Sequence, residues 1–131
     1  MVRIKPYIRS VLLTIMCGML FPLSAHAEWI KGHTVTLQAL DKITARISTI
    51  DIPVGSPHRY GALSITIHSC TTRPPTMAPE NAALLEIRSV DHNNVISDTP
   101  IFQGWMFASS PGLNALEHPV YDVGVLACIK D

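Results

Sequence analysis

The chain has 131 residues, of which 47% are apolar and 15% charged, and its ten Lys and Arg balance its ten Asp and Glu. This length favours a single domain with a modest core. The neutral sum hides an asymmetry, because three of the ten cations stand before residue 10. The remainder has seven cations against ten acids, a formal charge of −3, and no basic run. These features argue against a nucleic-acid partner.

The N-terminal segment has the pattern of a secretory signal peptide. Basic residues precede an apolar run (11–23), and an Ala-His-Ala motif ends at Ala27, which predicts cleavage after that residue. A membrane anchor is the alternative, but an anchor needs about 20 apolar residues, and this run is shorter and contains Pro22. We therefore expect a signal peptide (1–27) and one periplasmic β domain (28–131), at most peripheral to a membrane.

Six stretches after the signal peptide have the character of strands. In chain order they are "HTVTLQAL", "TARISTIDIPV", "GALSITIHSC", "AALLEIRSV", "PIFQGWMFA" and "VYDVGVLACI". Alternating apolar and polar residues, with many β-branched and aromatic side chains, are typical of strands. The pattern predicts a mainly β fold, a small antiparallel β-sandwich or barrel of about six strands. The "IFQGWMF" run is apolar on both faces, which favours a central strand covered on both sides.

Turn signals separate these strands, and one short helix is predicted. The stretches "VGSPHRYG", "TTRPPTMAPEN" and "DHNN" contain the Gly, Pro and Asx residues that favour turns. In "SPGLNALEH", Ser110 suits an N-cap and Pro111 the first helical position. Leu113 and Leu116 would share one face, and Pro119 would end the helix after about two turns.

Two cysteines remain once Cys17 is removed with the signal peptide. An even pair in an exported domain predicts a disulfide between Cys70 and Cys128. Such a crosslink would contribute about 4 kcal/mol in the chain-entropy model. Two free thiols or a metal-binding pair are the alternatives, and neither has a C-x-x-C spacing in its favour.

No residue set in the sequence makes a convincing catalytic or metal site. Ser109, Ser110, His118 and Asp122 supply the residue types of a hydrolase triad, but no G-x-S-x-G motif surrounds the serines. The histidines lack the paired spacing of zinc ligands; they are His33, His58, His68, His92 and His118. We expect His68 to neighbour the disulfide. Sequence spacing does not show convergence of the carboxylates Glu80, Glu86 and Glu117 on one cleft. We therefore predict no catalytic residues, no metal and no cofactor.

Two segments are candidates for contact with a partner. Trp105, Met106 and Phe107 fit a core, but an exposed part of that face would be a hydrophobic patch of the kind that marks partner sites. Arg73, Pro74 and Pro75 form a stiff loop after Cys70, and rigid exposed loops often carry contacts. The predicted interaction residues are Arg73, Pro74, Pro75, Trp105 and Phe107.

Long motifs resemble a family of small secreted alphaproteobacterial proteins, domain of unknown function 2155. They are "LDKITARISTIDIPVG", "SITIHSC…RPP…PENAALLEI" and "FQGWMFASSPGLNALEHPVYDVGVLAC". The similarity runs from about Thr36 to Cys128. The family pattern has cysteines at Cys70 and Cys128, which fits the disulfide. It usually has a large aromatic residue where this chain has Gly124, so the resemblance implies that a packing partner is absent there. Family genes lie near that of an accessory subunit of respiratory NADH dehydrogenase, which implies an inner-membrane neighbour.

Three functional hypotheses follow from these features. The first is a non-catalytic envelope protein that binds an unknown protein partner, as an accessory or assembly factor, at an inner-membrane complex. The second is a module that binds a small ligand or cell-wall glycan, which an open aromatic-lined cleft between the sheets would support. The third is an enzyme that uses His118 and Asp122.

Overall fold

Eight strands form two antiparallel sheets in the computed structural model, which describes residues 28–130. The larger sheet has the strand order β1-β5-β6-β7, with β4 also paired to β5, and the smaller sheet has the order β3-β2-β8. The strands are β1 (Ile30–Lys31), β2 (Thr34–Asp41), β3 (Arg46–Pro53), β4 (Pro57–Tyr60), β5 (Leu63–Thr72), β6 (Asn81–Ser89), β7 (Phe102–Phe107) and β8 (Tyr121–Ile129). The predicted signal peptide lies outside the described residues.

The two sheets pack face to face on one core. Alternation along β2 turns Val35, Leu37 and Ala39 inward, and all three are fully buried. On β5 the same alternation buries Leu63 and Ile65. Since no strand pairing joins the two sheets within residues 28–130, the fold is a sandwich, and the predicted mainly β antiparallel class is confirmed.

The disulfide between Cys70 and Cys128 forms as predicted. It joins β5 of the larger sheet to β8 of the smaller sheet, with the two Cα atoms 5.7 Å apart and a sequence separation of 58. Both cysteines belong to the buried core. Gly32 packs against this bond, because a Cβ at residue 32 would lie 2.9 Å from the Sγ atom of Cys70 and closer still to that of Cys128.

The predicted number of strands was too low, because two short strands were missed. The six predicted strands correspond to β2, β3, β5, β6, β7 and β8. The missed strand β4 lies within the stretch assigned to a turn, and β1 has two residues. Both pair with the same side of β5. Such short strands are held by tertiary pairing, and Pro57 is tolerated at the first position of an edge strand.

The predicted helix at residues 110–118 is wrong. The structure has a hydrogen-bonded turn there, in which the Leu113 N–H donates to the Ser110 carbonyl at 3.0 Å, and no helix occurs within residues 28–130. Leu116 is buried, but Leu113 is 72% exposed. With only one apolar side chain packed, the segment cannot offset the cost of nucleating a helix. The side-chain amide of Asn114 instead donates to the Trp105 carbonyl at 2.9 Å.

Strand β7 is an edge strand, so the predicted central position is also wrong. It pairs with β6 alone. Phe102 and Met106 face the core, as the alternation predicts. The other apolar face of β7, with Trp105 and Phe107, points away from the core at the outer surface of the larger sheet.

Candidate binding surface

The strand register gathers apolar side chains at one end of the outer face of the larger sheet. Trp105 of β7 stands opposite Leu84 of β6, and Phe107 stands opposite Ala82. Ala82 in turn stands opposite Thr71 of β5. Because paired residues in an antiparallel sheet share a face, these side chains form one continuous apolar surface near the disulfide end of the sandwich.

This surface contains an open hollow of about 400 Å³, which we name the aromatic groove. Its lining residues are Trp29, Thr71, Ala82, Trp105 and Phe107. Trp29 is 37% exposed and Trp105 is 38% exposed, and they are the only two tryptophans of the chain. Exposure of two large aromatic side chains in one concavity is uncommon on a surface that contacts only water.

The Arg73-Pro74-Pro75 segment lies beside the aromatic groove. The guanidinium carbon of Arg73 is 5.1 Å from the ring centroid of Trp29, a cation–π contact that holds the indole in place. The same segment lines a second hollow of about 270 Å³. The structure therefore brings the two predicted interaction segments together through Trp29, a residue that the sequence analysis missed. The available signal was an aromatic residue two positions after the predicted cleavage site.

The loop between β5 and β6 (73–80) is held at both ends. The Arg73 N–H donates to the Glu80 carbonyl at 3.0 Å, and the Met77 N–H donates to the Pro74 carbonyl at 3.0 Å. One guanidinium N–H of Arg73 donates to the Ala78 carbonyl at 3.4 Å, while its buried Nε has no hydrogen-bond partner among the described residues. The loop is therefore a fixed wall beside the groove.

Glu80 joins this loop to the end of β7. Its carboxylate accepts the N–H of Asn81 at 3.0 Å, and the N–H of Ser109 at 3.1 Å together with the hydroxyl of that serine. Burial acts to raise the pKa of Glu80, but the Ser109 and Asn81 hydrogen bonds and the charge of Arg73 outweigh it and lower the pKa below its ordinary value. The carboxylate thus remains ionised and keeps both segments in place.

The opposite end of the same outer face is polar. Glu86 accepts a hydrogen bond from the Arg88 guanidinium, which also donates to the Ser97 carbonyl at 3.0 Å. The pKa of Glu86 is lowered, mainly by the Arg88 hydrogen bond, against the effect of burial. His68 lies 3.6 Å from Glu86 through Nε2. The expectation that His68 neighbours the disulfide is wrong, because a bulge between Ile67 and Ser69 leaves the histidine exposed.

The serines that resembled nucleophiles are occupied by structural contacts. Ser109 donates its N–H and its hydroxyl to Glu80. Ser110 supplies the carbonyl that closes the turn to Leu113, at 3.0 Å, and it caps no helix. Neither hydroxyl is hydrogen-bonded to a histidine within residues 28–130.

His118 and Asp122 do not form a catalytic pair either. The Nδ1 atom of His118 accepts the N–H groups of Val120 at 3.0 Å and Tyr121 at 3.1 Å. Asp122 stands opposite Leu40 on the outer face of the smaller sheet and is exposed. The Nδ1 atom, which would act as a general base in a triad, is thus occupied by two backbone hydrogen bonds that hold the start of β8.

The remaining histidines stand apart from one another. His33 precedes β2, His58 lies on β4, and His92 lies in the turn after β6. Within residues 28–130 no group of three or more His, Cys, Asp or Glu side chains could hold a metal ion. No helix in that part of the chain is long and apolar enough to cross a membrane.

Gly124 leaves no gap in the core. It stands opposite Gln38 on the outer face of the smaller sheet, and a Cβ there would meet no atom within 4 Å. A side chain at this position would stand above the sheet in solvent. An aromatic residue at this position would therefore lie on the surface, and its absence does not change the packing of the core.

The space between the sheets is filled, except at its far end. Side chains from both sheets occupy the centre, and most of them are fully buried. At the end away from the disulfide, a polar hollow of about 350 Å³ opens between the sheets, lined by Asp41, Thr44, Arg46, Ser48, Tyr60, Gly61 and Tyr121. No sequence motif predicts this site, because its residues come from four strands and two turns.

Comparison with known proteins identifies the family and no activity. Residues 35–128, well over half of the chain, match the family described as "Uncharacterized protein conserved in bacteria (DUF2155)". An uncharacterised protein of Rickettsia prowazekii (strain Madrid E) is 32% identical over 90 residues, which cover 69% of this chain and 57% of the relative. No solved structure matches. The chain therefore belongs to the DUF2155 family of uncharacterised bacterial proteins.

Proposed function

We propose that this protein is an exported, non-catalytic binding protein of the cell envelope, which holds another protein through the aromatic groove. The observation that carries the proposal is the pair of half-exposed indoles in one apolar hollow, with a rigid loop beside it. Aromatic side chains and arginine dominate the binding energy of protein interfaces. We extend this proposal to a role as an accessory or assembly factor at an inner-membrane complex.

The partner that fits the groove is an apolar segment that carries an acidic side chain. Thr71 supplies the only hydroxyl of the lining, so the groove favours aliphatic or aromatic groups. Lys31 stands opposite Thr71 and shares its face, and the Arg73 guanidinium lies over the ring of Trp29. These two cations edge the groove of a domain whose net charge is negative, which favours a carboxylate beside the apolar anchor.

A glycan fits this groove less well than a peptide does. Sugar hydroxyls need hydrogen-bond partners, and a site that leaves them unpaired is penalised. Trp29, Ala82, Trp105 and Phe107 offer almost none. The free edge of β7 is also an unsuitable place for a partner strand, because the Asn114 side chain already occupies the Trp105 carbonyl.

Export agrees with two independent features. The first 27 residues have the pattern of a cleaved signal peptide. The disulfide that joins the sheets suits an oxidising compartment such as the periplasm.

In-cell photocrosslinking tests the proposal. A photoreactive amino acid at Gln103, on β7 beside Trp105, should yield a crosslinked partner whose captured peptide is apolar and contains Asp or Glu. The crosslink should be lost in Trp105→Ala, while the disulfide and circular dichroism stay unchanged. The matched control places the same group at Thr49, on the outer face of β3. An equal crosslink from Thr49, or one that survives Trp105→Ala, would contradict the proposal.

A further inference from the structure

The end of the sandwich away from the disulfide is lined by polar side chains that converge on one hollow. On β3 the inward positions pass from buried Ile52 to Ser48 and then Arg46. Asp41 at the end of β2 stands opposite both Arg46 and Tyr121 of β8. Asp41, Arg46 and Tyr121 therefore share the inner face of the smaller sheet. We name the hollow of about 350 Å³ that they help to line the tyrosine mouth.

One wall of the tyrosine mouth is fixed by packing around Tyr121. Its ring contacts Tyr60 edge-on, with centroids 5.5 Å apart, and His118 on another side, at 5.3 Å. Its hydroxyl accepts the N–H of Ala62 at 3.4 Å. Gly61 adopts a φ of +53° against that hydroxyl, where a Cβ has no room. The position of the aromatic wall is therefore set before any ligand arrives.

Several polar groups of the tyrosine mouth have no hydrogen-bond partner within residues 28–130, although the charge of Arg46 acts on Asp41. Among the described residues, no hydrogen bond or ion pair engages the Arg46 guanidinium, the Ser48 hydroxyl or the Tyr60 hydroxyl. Asp41 uses Oδ1 to accept the N–H groups of Ile43 at 2.9 Å and Thr44 at 3.2 Å. The Thr44 N–H bond, against the effect of burial, lowers the pKa of Asp41. A carboxylate, a guanidinium and two hydroxyls thus surround one hollow, where they can form hydrogen bonds with a ligand.

We infer that the tyrosine mouth binds a single uncharged sugar ring. Its volume lies at the lower end of the range of about 300–1,000 Å³ for small-molecule sites, which suits one ring. Asp41 can accept hydroxyl protons, and Arg46 can donate to hydroxyl oxygens. Their charges offset each other, so a charged ligand gains no advantage. The tyrosine rings supply apolar contact for the C–H face of the sugar.

Nuclear magnetic resonance titration of the protein produced from its full chain tests the inference, with glucose and N-acetylglucosamine as probes. We expect saturable shifts of the backbone amides of Arg46, Ser48 and Gly61. Arg46→Ala should weaken binding about tenfold, because it removes charge-assisted hydrogen bonds. The control Thr49→Ala, on the outer face of the same strand, should leave the titration unchanged.

Three results would overturn the inference. One is the absence of saturable shifts with both sugars, and a second is equal affinity in Arg46→Ala and the unaltered protein. The third is a response to glucuronate alone, which would remove the assignment to an uncharged ring. The site is independent of the aromatic groove, so Trp105→Ala should leave the sugar titration intact.

Discussion

The two ends of the sandwich are closed in different ways. At the disulfide end, a covalent bond joins the sheets, and Gly32 packs so closely on it that no side chain fits. At the tyrosine mouth, non-covalent contacts hold the entry of β8, among them the hydrogen bonds to His118 and the one from the Lys42 N–H to the Val120 carbonyl at 2.8 Å. A hollow of about 350 Å³ remains open there. The comparison suggests that the first end supplies stability and backs the aromatic groove, whereas the second end keeps room for a small molecule.

Removal of the disulfide should lower the free energy of unfolding more than any other change proposed below. The double variant Cys70→Ala/Cys128→Ala should lose roughly 2–5 kcal/mol of unfolding free energy, because the crosslink restricts the unfolded chain. Urea unfolding followed by circular dichroism measures the loss. Reduced protein should resemble the double variant. A loss well under 1 kcal/mol would show that the covalent bond does not hold the two sheets together.

Two glycines offer a matched test of packing. Gly32→Ala should destabilise the fold by about 1–3 kcal/mol, because its Cβ would lie 2.7 Å from the Ile129 carbonyl oxygen and collide with the disulfide. Gly124→Ala enters open space and should be neutral or stabilising by up to about 1 kcal/mol. Thermal unfolding of both variants checks the difference. Similar losses would mean that the disulfide end is no tighter than the outer sheet face.

His118 should stabilise the start of β8 beside the tyrosine mouth. His118→Ala removes the acceptor of two backbone N–H groups, and it should cost about 1–3 kcal/mol and move the amide resonance of Tyr121. His118→Asn should recover part of the loss, since its side-chain oxygen can accept hydrogen bonds. His92→Ala, in an exposed turn, is the control and should stay within about 0.5 kcal/mol. Equal behaviour of His118→Ala and His92→Ala would contradict the assigned role.

The smallest expected effect is a pH dependence at the disulfide end. The pKa of Glu80 is lower in the folded protein than its ordinary value of 4.5, so ionised Glu80 stabilises the fold at neutral pH. That contribution should be lost as the pH falls below about 4.5 towards the folded pKa. The urea midpoint should therefore drop less on acidification in Glu80→Gln than in the unaltered protein. Glu117→Gln is the control, and an identical pH dependence of all three proteins would refute the role.

Much of the fold could be predicted from the sequence, because period-two alternation is a local signal. It located β2, β5 and the four other long strands, and the cysteine count predicted the disulfide. The turn at "DHNN" also follows from local chemistry, since Asn94 adopts a φ of 63° and Asp91 accepts the N–H of Asn93 at 2.8 Å. Strands β1 and β4 could not be predicted from the sequence, because only their tertiary pairing with β5 holds them.

The site was only partly predictable for a related reason. The sequence predicts Trp105 and Phe107 as interaction residues or as core, and their exposure depends on β7 lying at a sheet edge, which strand patterns do not reveal. The helix prediction failed because its capping signals were present but its apolar face was not packed: Leu113 is exposed. Asn114 lies within the predicted helix, and its side-chain bond to the Trp105 carbonyl forms only when the chain folds over the sheet edge.

Tryptophan fluorescence tests the central claim most directly, because both tryptophans of the chain line the aromatic groove. The peptide captured by crosslinking should be synthesised and titrated into the purified protein. Occupation of the groove should shift the emission to shorter wavelength and reduce quenching by acrylamide, and Trp105→Ala should weaken binding at least about tenfold. A peptide that binds with unchanged emission, and equally well to Trp105→Ala, would show that the partner surface lies elsewhere.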